Sequence, residues 1–193
     1  MLECCTKKIL ENLLKVVPKD NYYELCFYGI ECIILKTVHY FSYFFIACYC
    51  EEILGFLIFL TFYAMLRNCV AGYHANSPLG CYLISCVGLF TILKYGNYLR
   101  PNSVLIFFLI IMTCFCLQVC PVDNPNRVLS ITEKNNYRKK ATILYSISFT
   151  LIFIVWTSNI VVWIVWAVLM ADTMVILGYL KYKLNVYKED EMI

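Results

Sequence analysis

Charge is scarce in this chain, and so are the residues that interrupt helices. Of 193 residues, 15% are Asp, Glu, Lys or Arg, and there are 7 glycines and 5 prolines. Soluble domains are about 25% charged and about 45–50% apolar. This chain is 62% hydrophobic, which excludes an ordinary water-soluble fold. The low glycine and proline, with 17% aromatic residues, exclude collagen-like and disordered classes. Histidine is rarer still. Two His against 12 Cys leave no zinc-finger spacing, and no metal or cofactor is expected. A net charge of +3 is too small to argue for nucleic acid. A secretory leader is not expected either: residues 1–18 alternate Lys7, Lys8, Glu11 and Lys15 with Leu2, Ile9, Leu10, Leu13, Leu14 and Val17, where a leader needs an unbroken apolar run.

What the chain does have is long apolar runs, and a bilayer asks for about 20 such residues per helix. The reading is an all-α, polytopic integral membrane protein. It is expected to form a single transmembrane domain over residues 1–193, with an amphipathic interfacial helix at 1–18 ended by Pro18. Six spans follow: Phe27–Tyr49 (holding Glu31, Lys36 and His39), Ile53–Leu66, Cys81–Leu93, Val104–Cys120, and two within Ala141–Lys181. That last stretch is too long for one crossing and divides at Thr157, Ser158 and Asn159; Asp172 sits in its second half. Most cysteines, among them Cys32, Cys48, Cys86, Cys114 and Cys116, fall in apolar runs, where a thiol packs as a small hydrophobe.

Six crossings place both termini on one side, and the Lys/Arg distribution points to the cytoplasm. Lys7, Lys8, Lys15, Lys19, Arg67, Arg127, Lys134, Arg138, Lys139, Lys140, Lys181, Lys183 and Lys188 then lie inside, against Lys94 and Arg100 outside. The same arithmetic places the polar stretch 67–81 and a basic loop at 121–140 in the cytoplasm. The second and third spans are short for a bilayer, so either the helices extend into the polar stretch, or the membrane thins there, or the stretch sinks below the headgroups to line a cavity; the third is the working expectation.

That stretch holds the candidate chemistry. A cysteine attacks carbonyls as its thiolate and needs a base or cation beside it. His74 is the histidine near Cys81, and Asn76, Ser77, Pro78 and Gly80 are turn residues that let the chain fold back between them. Ser77 before Pro78 predicts a helix N-cap with proline at the first helical position. Cys81 then falls in or just past the first turn, where the helix dipole favours a thiolate and free amides suit an oxyanion. A chance Cys and His in a cysteine-rich cytoplasmic loop is the plainer alternative.

Arg67, Asn68, Ala71, Gly72, Tyr73, His74, Ala75, Ser77 and Cys81 resemble the signature of the accessory gene regulator protein B (AgrB) family, bacterial membrane cysteine endopeptidases that process quorum-sensing propeptides. Tyr28, Gly29 and Glu31 resemble an early element of that family. Pro121, Asp123, Asn124 and Asn126, then Glu133, Lys134, Tyr137, Arg138 and Lys139, resemble its basic inner loop. Val70 departs from the pattern, standing where many members have glycine. The resemblance covers nearly the whole chain and implies His74 and Cys81 as the catalytic pair, with Arg67, Asn68, Gly72 and Ser77 in support. It implies an AgrD-type propeptide as substrate, cut through an acyl-enzyme thioester and closed into a thiolactone or lactone, at a bacterial cell membrane. A homodimer is expected from the small size of the chain.

Arg127, Lys134, Arg138, Lys139 and Lys140 admit two readings: topology and anionic-lipid anchors, or a grip on the acidic tail of the substrate. Charge reversal at Arg138 and Lys139 separates the two by comparing processing with insertion. Two rival functions also stand. One is a small transporter or channel using Glu31, Lys36, His39 and Asp172 as an intramembrane path. The other is a scaffold in which these residues only pack helices.

Overall fold

A computed structural model of the chain describes residues 23–73, 75, 77–98, 100–122 and 129–190. The amphipathic helix expected at 1–18 lies outside these residues. Among the described residues the structure is helical throughout, without strands. Six α-helices follow in order: α1 Tyr23–Tyr49, α2 Ile53–Val70, α3 Pro78–Tyr95, α4 Ser103–Val119, α5 Ile131–Ile154 and α6 Ile160–Asp190. A 3₁₀ turn, Gly96–Tyr98, extends α3. The chain divides into two units, Met1–Ile46 and Ala47–Ile193.

The first unit holds most of α1. Its hydroxyls bond back into the helix, Thr37 Oγ1 donating to the Ile33 carbonyl at 2.8 Å and Ser42 Oγ to that of Val38 at 2.9 Å. This satisfies polar groups that apolar surroundings would otherwise strand. His39 Nδ1 lies 3.3 Å from the Tyr43 hydroxyl, one turn on. Glu31 and Lys36 are five residues apart, off the three-and-four spacing that brings helical side chains together.

In the second unit α6 is the axis. Val161 to Val165, Ala167, Val168, Ala171, Met174 and Val175 are all buried, the pattern of a helix that is apolar all round and sits inside a bundle. Helix α2 packs most extensively along α6 and then on α5, while α4, α5 and α6 pack on one another. Gly55 of α2 leaves room for the Trp163 ring of α6, whose atoms would stand within 2.4–2.8 Å of a Cβ there. Helix α3 is tied to this core at its far end. Its buried residues are Leu89, Ile92 and Leu93, Trp166 Nε1 donates to the Gly96 carbonyl at 3.3 Å, and Asn97 Nδ2 donates to Glu52 at 2.6 Å.

Among the described residues, four stretches are long and apolar enough to cross a membrane: Gly29–Tyr49, Ile53–Val70, Pro78–Tyr98 and Ile160–Leu184. Helix α4, Ser103–Val119, is apolar but shorter. Helix α5 carries Glu133, Lys134, Arg138, Lys139 and Lys140 in its first turns and is apolar from Ala141. The chain breaks between α5 and α6 at residues 155–159, where the polar cluster predicts it; Ser158 Oγ accepts from the Ile160 amide at 3.3 Å.

Two expectations are corrected. Helices α2 and α3 grow into the polar stretch, and at 18 residues each they span about 27 Å. The short-span argument for a sunken loop therefore loses its premise. The basic segment 121–140 is also not loop throughout. Ser130 and Glu133 form a reciprocal capping box that starts α5 at Ile131, so Lys134, Arg138, Lys139 and Lys140 are helical.

A buried carboxylate joins α4, α5 and α6. Asp172 is fully buried and accepts from Thr113 Oγ1 at 2.7 Å and from the Tyr145 hydroxyl at 2.6 Å. Both oxygens have a donor, as a charge-bearing group at this depth requires. Replacing Tyr145→Phe leaves one oxygen bare, and thermal denaturation in detergent should show a loss of about 1–3 kcal/mol; an unchanged midpoint would show that the knot contributes nothing.

Candidate active site

Helix α2 ends at Val70, and the next residues turn sharply. Ala71 has φ of 56° and Gly72 of 124°, a backbone region that glycine enters freely and other residues rarely. Space is also short at Gly72: a Cβ would stand 2.6 Å from Arg67 Nη1 and 2.6 Å from the Met174 carbonyl oxygen. Gly72 is thus required twice over, by backbone angle and by close approach.

Arg67 reaches forward from the last turn of α2 and holds this bend. Its Nη1 donates to the Ala71 carbonyl, and Nη2 donates to that of Tyr73 at 2.7 Å. A planar fork of five donors suits such a task, and lysine, a point donor, cannot reproduce it. The amide of Tyr73 donates to the Met174 carbonyl of α6 at 2.7 Å, and the Lys181 ammonium stands 5.3 Å from the centre of the Tyr73 ring. His74 and Asn76 follow in sequence but lie outside the described residues.

Across the bend, α3 begins as its sequence predicts. Ser77 is extended, its hydroxyl accepts from the Gly80 amide at 3.1 Å, and Pro78 takes the first helical position. The Cys81 amide closes the first helical bond, to the Ser77 carbonyl at 3.1 Å. That leaves the Leu79 amide as the one first-turn donor without an acceptor among the described residues. The Cys81 thiol is partly exposed. Within this unit, the first half of α3 contributes no buried residue, so the Cys81 end stands clear of close helix packing.

Tyr63, which sequence reasoning passed over, connects the two sides. Its hydroxyl hydrogen-bonds the Arg67 side chain and lies within electrostatic reach of Cys81. Its ring stacks on Phe59 at 5.5 Å between centroids. Its contact with Arg67 follows from their four-residue spacing on α2, but its nearness to Cys81 depends on how α3 returns toward α2.

The remaining predicted residues spread out. Asn68 is exposed on α2. Arg127 lies outside the described residues. Arg138 donates from Nε to the Cys120 carbonyl at 3.2 Å and from Nη2 to that of Gln118 at 2.9 Å; it caps the end of α4, a satisfying role for a cation at carbonyls left free there. Its reversal would therefore unseat a helix end as well as any tail, which makes Lys139 and Lys140 the informative positions. Lys140 stacks over Tyr137 at 5.9 Å and lies within electrostatic reach of Cys69 at the end of α2. The Val122 amide donates to the Val70 carbonyl at 3.4 Å. The start of α5, the end of α2 and the bend thus share one end of the bundle.

Compared with known protein families, residues 2–177 match accessory gene regulator B. The chain belongs to that family. No curated protein and no solved structure matches it. Membership gives the chain a role in the accessory gene regulator system of quorum sensing, as a peptidase-like membrane protein with an AgrD propeptide as its partner.

For this family member, the cysteines at the bend end differ in access. Cys69 and Cys120 are buried, whereas Cys81 is partly exposed. Iodoacetamide at pH 8 should therefore alkylate Cys81 and spare the buried Cys69 and Cys120; peptide mass spectrometry showing the reverse order would contradict this arrangement.

Proposed function

We propose that this chain is a membrane-embedded cysteine endopeptidase that cleaves the C-terminal tail from an AgrD-type propeptide and promotes cyclisation of the remainder. The observation that carries this reading is the partly exposed Cys81 thiol at the capped start of α3, next to a bend braced by Arg67, in a chain matched to the family over residues 2–177.

In the proposed cycle His74 takes the Cys81 proton, and the thiolate adds to the carbonyl before the tail. The Leu79 amide is a donor suited to the developing oxyanion. The C–N bond then breaks, His74 returns its proton to the departing amine, and a thioester joins the peptide to Cys81. A substrate Cys or Ser attacks that thioester. Its proton passes through His74 to the Cys81 sulfur as the C–S bond breaks, and the free enzyme is restored.

Physical chemistry favours this route in a site shielded from water. Exchange of one thioester for another is nearly balanced in energy, while hydrolysis drains the intermediate to a linear acid. Excluding water suppresses that loss, and a nucleophile within the same peptide enjoys a high effective concentration. The open side of α3 near Cys81 leaves room for such a peptide.

Six crossings with the bend and both termini in the cytoplasm complete the proposal, together with a pairing of two copies to enclose the peptide. Lys139 and Lys140, exposed at the same end as the bend, suit an acidic tail. The transporter alternative draws less support. Asp172 spends both its oxygens on Thr113 and Tyr145, as a packing group would.

Membranes containing the chain should convert a candidate propeptide into a tail fragment and a cyclic product one water lighter than the linear acid. Cys81→Ala and His74→Ala should each reduce both products to background by mass spectrometry, whereas normal cleavage by either variant would overturn the enzyme reading.

A further inference from the structure

The bend after α2 does not hold itself. It rests on the last helix, one residue beyond the stretch that matches the family. At Gly178 the α6 backbone comes so close to the bend that a Cβ would stand 2.6 Å from the Gly72 carbonyl carbon, 2.6 Å from the Tyr73 nitrogen and 2.8 Å from Gly72 Cα. These are backbone atoms, which cannot swing aside as a side-chain end does. One turn earlier on α6, the Met174 carbonyl accepts the Tyr73 amide at 2.7 Å. Just past Gly178, the Lys181 ammonium covers the Tyr73 ring at 5.3 Å. Gly178 is buried and helical, where alanine would otherwise be preferred by about 1 kcal/mol. Its presence has a local reason only if the close approach matters.

We infer that Gly178 is a positioning residue: with Met174 and Lys181 it makes α6 a seat for the bend, and so sets where the chain delivers His74 relative to Cys81. The consequence for chemistry rests on the proposed function, whereas the seat itself does not. Alanine at Gly178 must push the bend away by about 1 Å to reach ordinary contact distance, and a misplacement of that size can cost on the order of a hundredfold in rate. Lys181→Met leaves the close backbone approach at Gly178 intact and removes the cation over Tyr73, a smaller change of about threefold.

The test uses the full chain in lipid vesicles and reads two quantities. The first is amide hydrogen exchange over residues 70–75 by mass spectrometry. In Gly178→Ala it should rise at least about tenfold, because the Tyr73 amide loses the Met174 carbonyl. The second is propeptide cleavage, where kcat should fall about a hundredfold with KM little changed, since the bend carries a reacting group and not the binding surface. Gly88→Ala is the control: its Cβ would meet only the flexible end of Met170, at 3.0 Å, so both readouts should match wild type. Should Gly178→Ala fail to fold, Lys181→Met alone should raise exchange at residues 70–75 and lower kcat about threefold. Wild-type exchange at the bend in Gly178→Ala, or in Lys181→Met where the first does not fold, would overturn the seat. Raised exchange with equal losses in kcat and in general stability, and none specific to the chemistry, would overturn the positioning role. Raised exchange in a chain whose wild type cuts no propeptide would uphold the seat and reject the enzyme.

Discussion

A polypeptide leaving a helix inside a membrane protein exposes carbonyls and amides that hydrocarbon cannot satisfy. The residues between α2 and α3 meet that demand with protein groups. Arg67 takes the carbonyls of Ala71 and Tyr73, and Met174 takes the amide of Tyr73. Once these partners are assigned, much else is constrained. Arginine is needed for its forked donors, Gly72 for its positive φ and lack of a side chain, and Gly178 for the backbone contact on the other face. Non-helical backbone persists here with both polar backbone atoms of Ala71 and of Tyr73 satisfied by Arg67 and Met174.

Helix α6 carries this arrangement because it is itself anchored. The Asp172 carboxylate binds hydroxyls from α4 and α5, and Trp166 binds the turn that ends α3. Asp172 lies two residues before Met174, so the knot that fixes the rotation and height of α6 also fixes the carbonyl presented to the bend. A buried group remote in sequence from the bend thereby shares in its placement. Such coupling runs through rigid helical backbone and needs no moving part.

Parts of this were readable from residues alone. Ser77 followed by Pro78 marked the start of α3, because a cap is a local bargain between one hydroxyl and the nearest amides. Thr157, Ser158 and Asn159 marked the break before α6 for the same local reason. The end of α2 was read too short, since polarity at Arg67 and Asn68 was taken as the edge of the helix when those residues simply continue it. Arg138 was read either as a topology and lipid anchor or as a grip on an acidic tail, and neither reading contained its bonds to the end of α4. Its partners at Gln118 and Cys120 become neighbours only when α5 folds back on α4. The approach of Tyr63 to Cys81 and of Gly178 to the bend left no trace in sequence spacing.

The amino-acid order on its own determined that this is a helical membrane protein of the accessory gene regulator B family, where its helices break, and that a cysteine stands near a capped helix start. Those properties depend on residues within one or two turns of each other, or on runs of uniform polarity. Tertiary structure alone decided that α6 is the axis, that Cys81 comes near Tyr63, and that Gly178 faces the bend. Each of those contacts joins positions brought together by helix packing, whose geometry depends on how several surfaces interlock at once and is written in no single stretch of the chain.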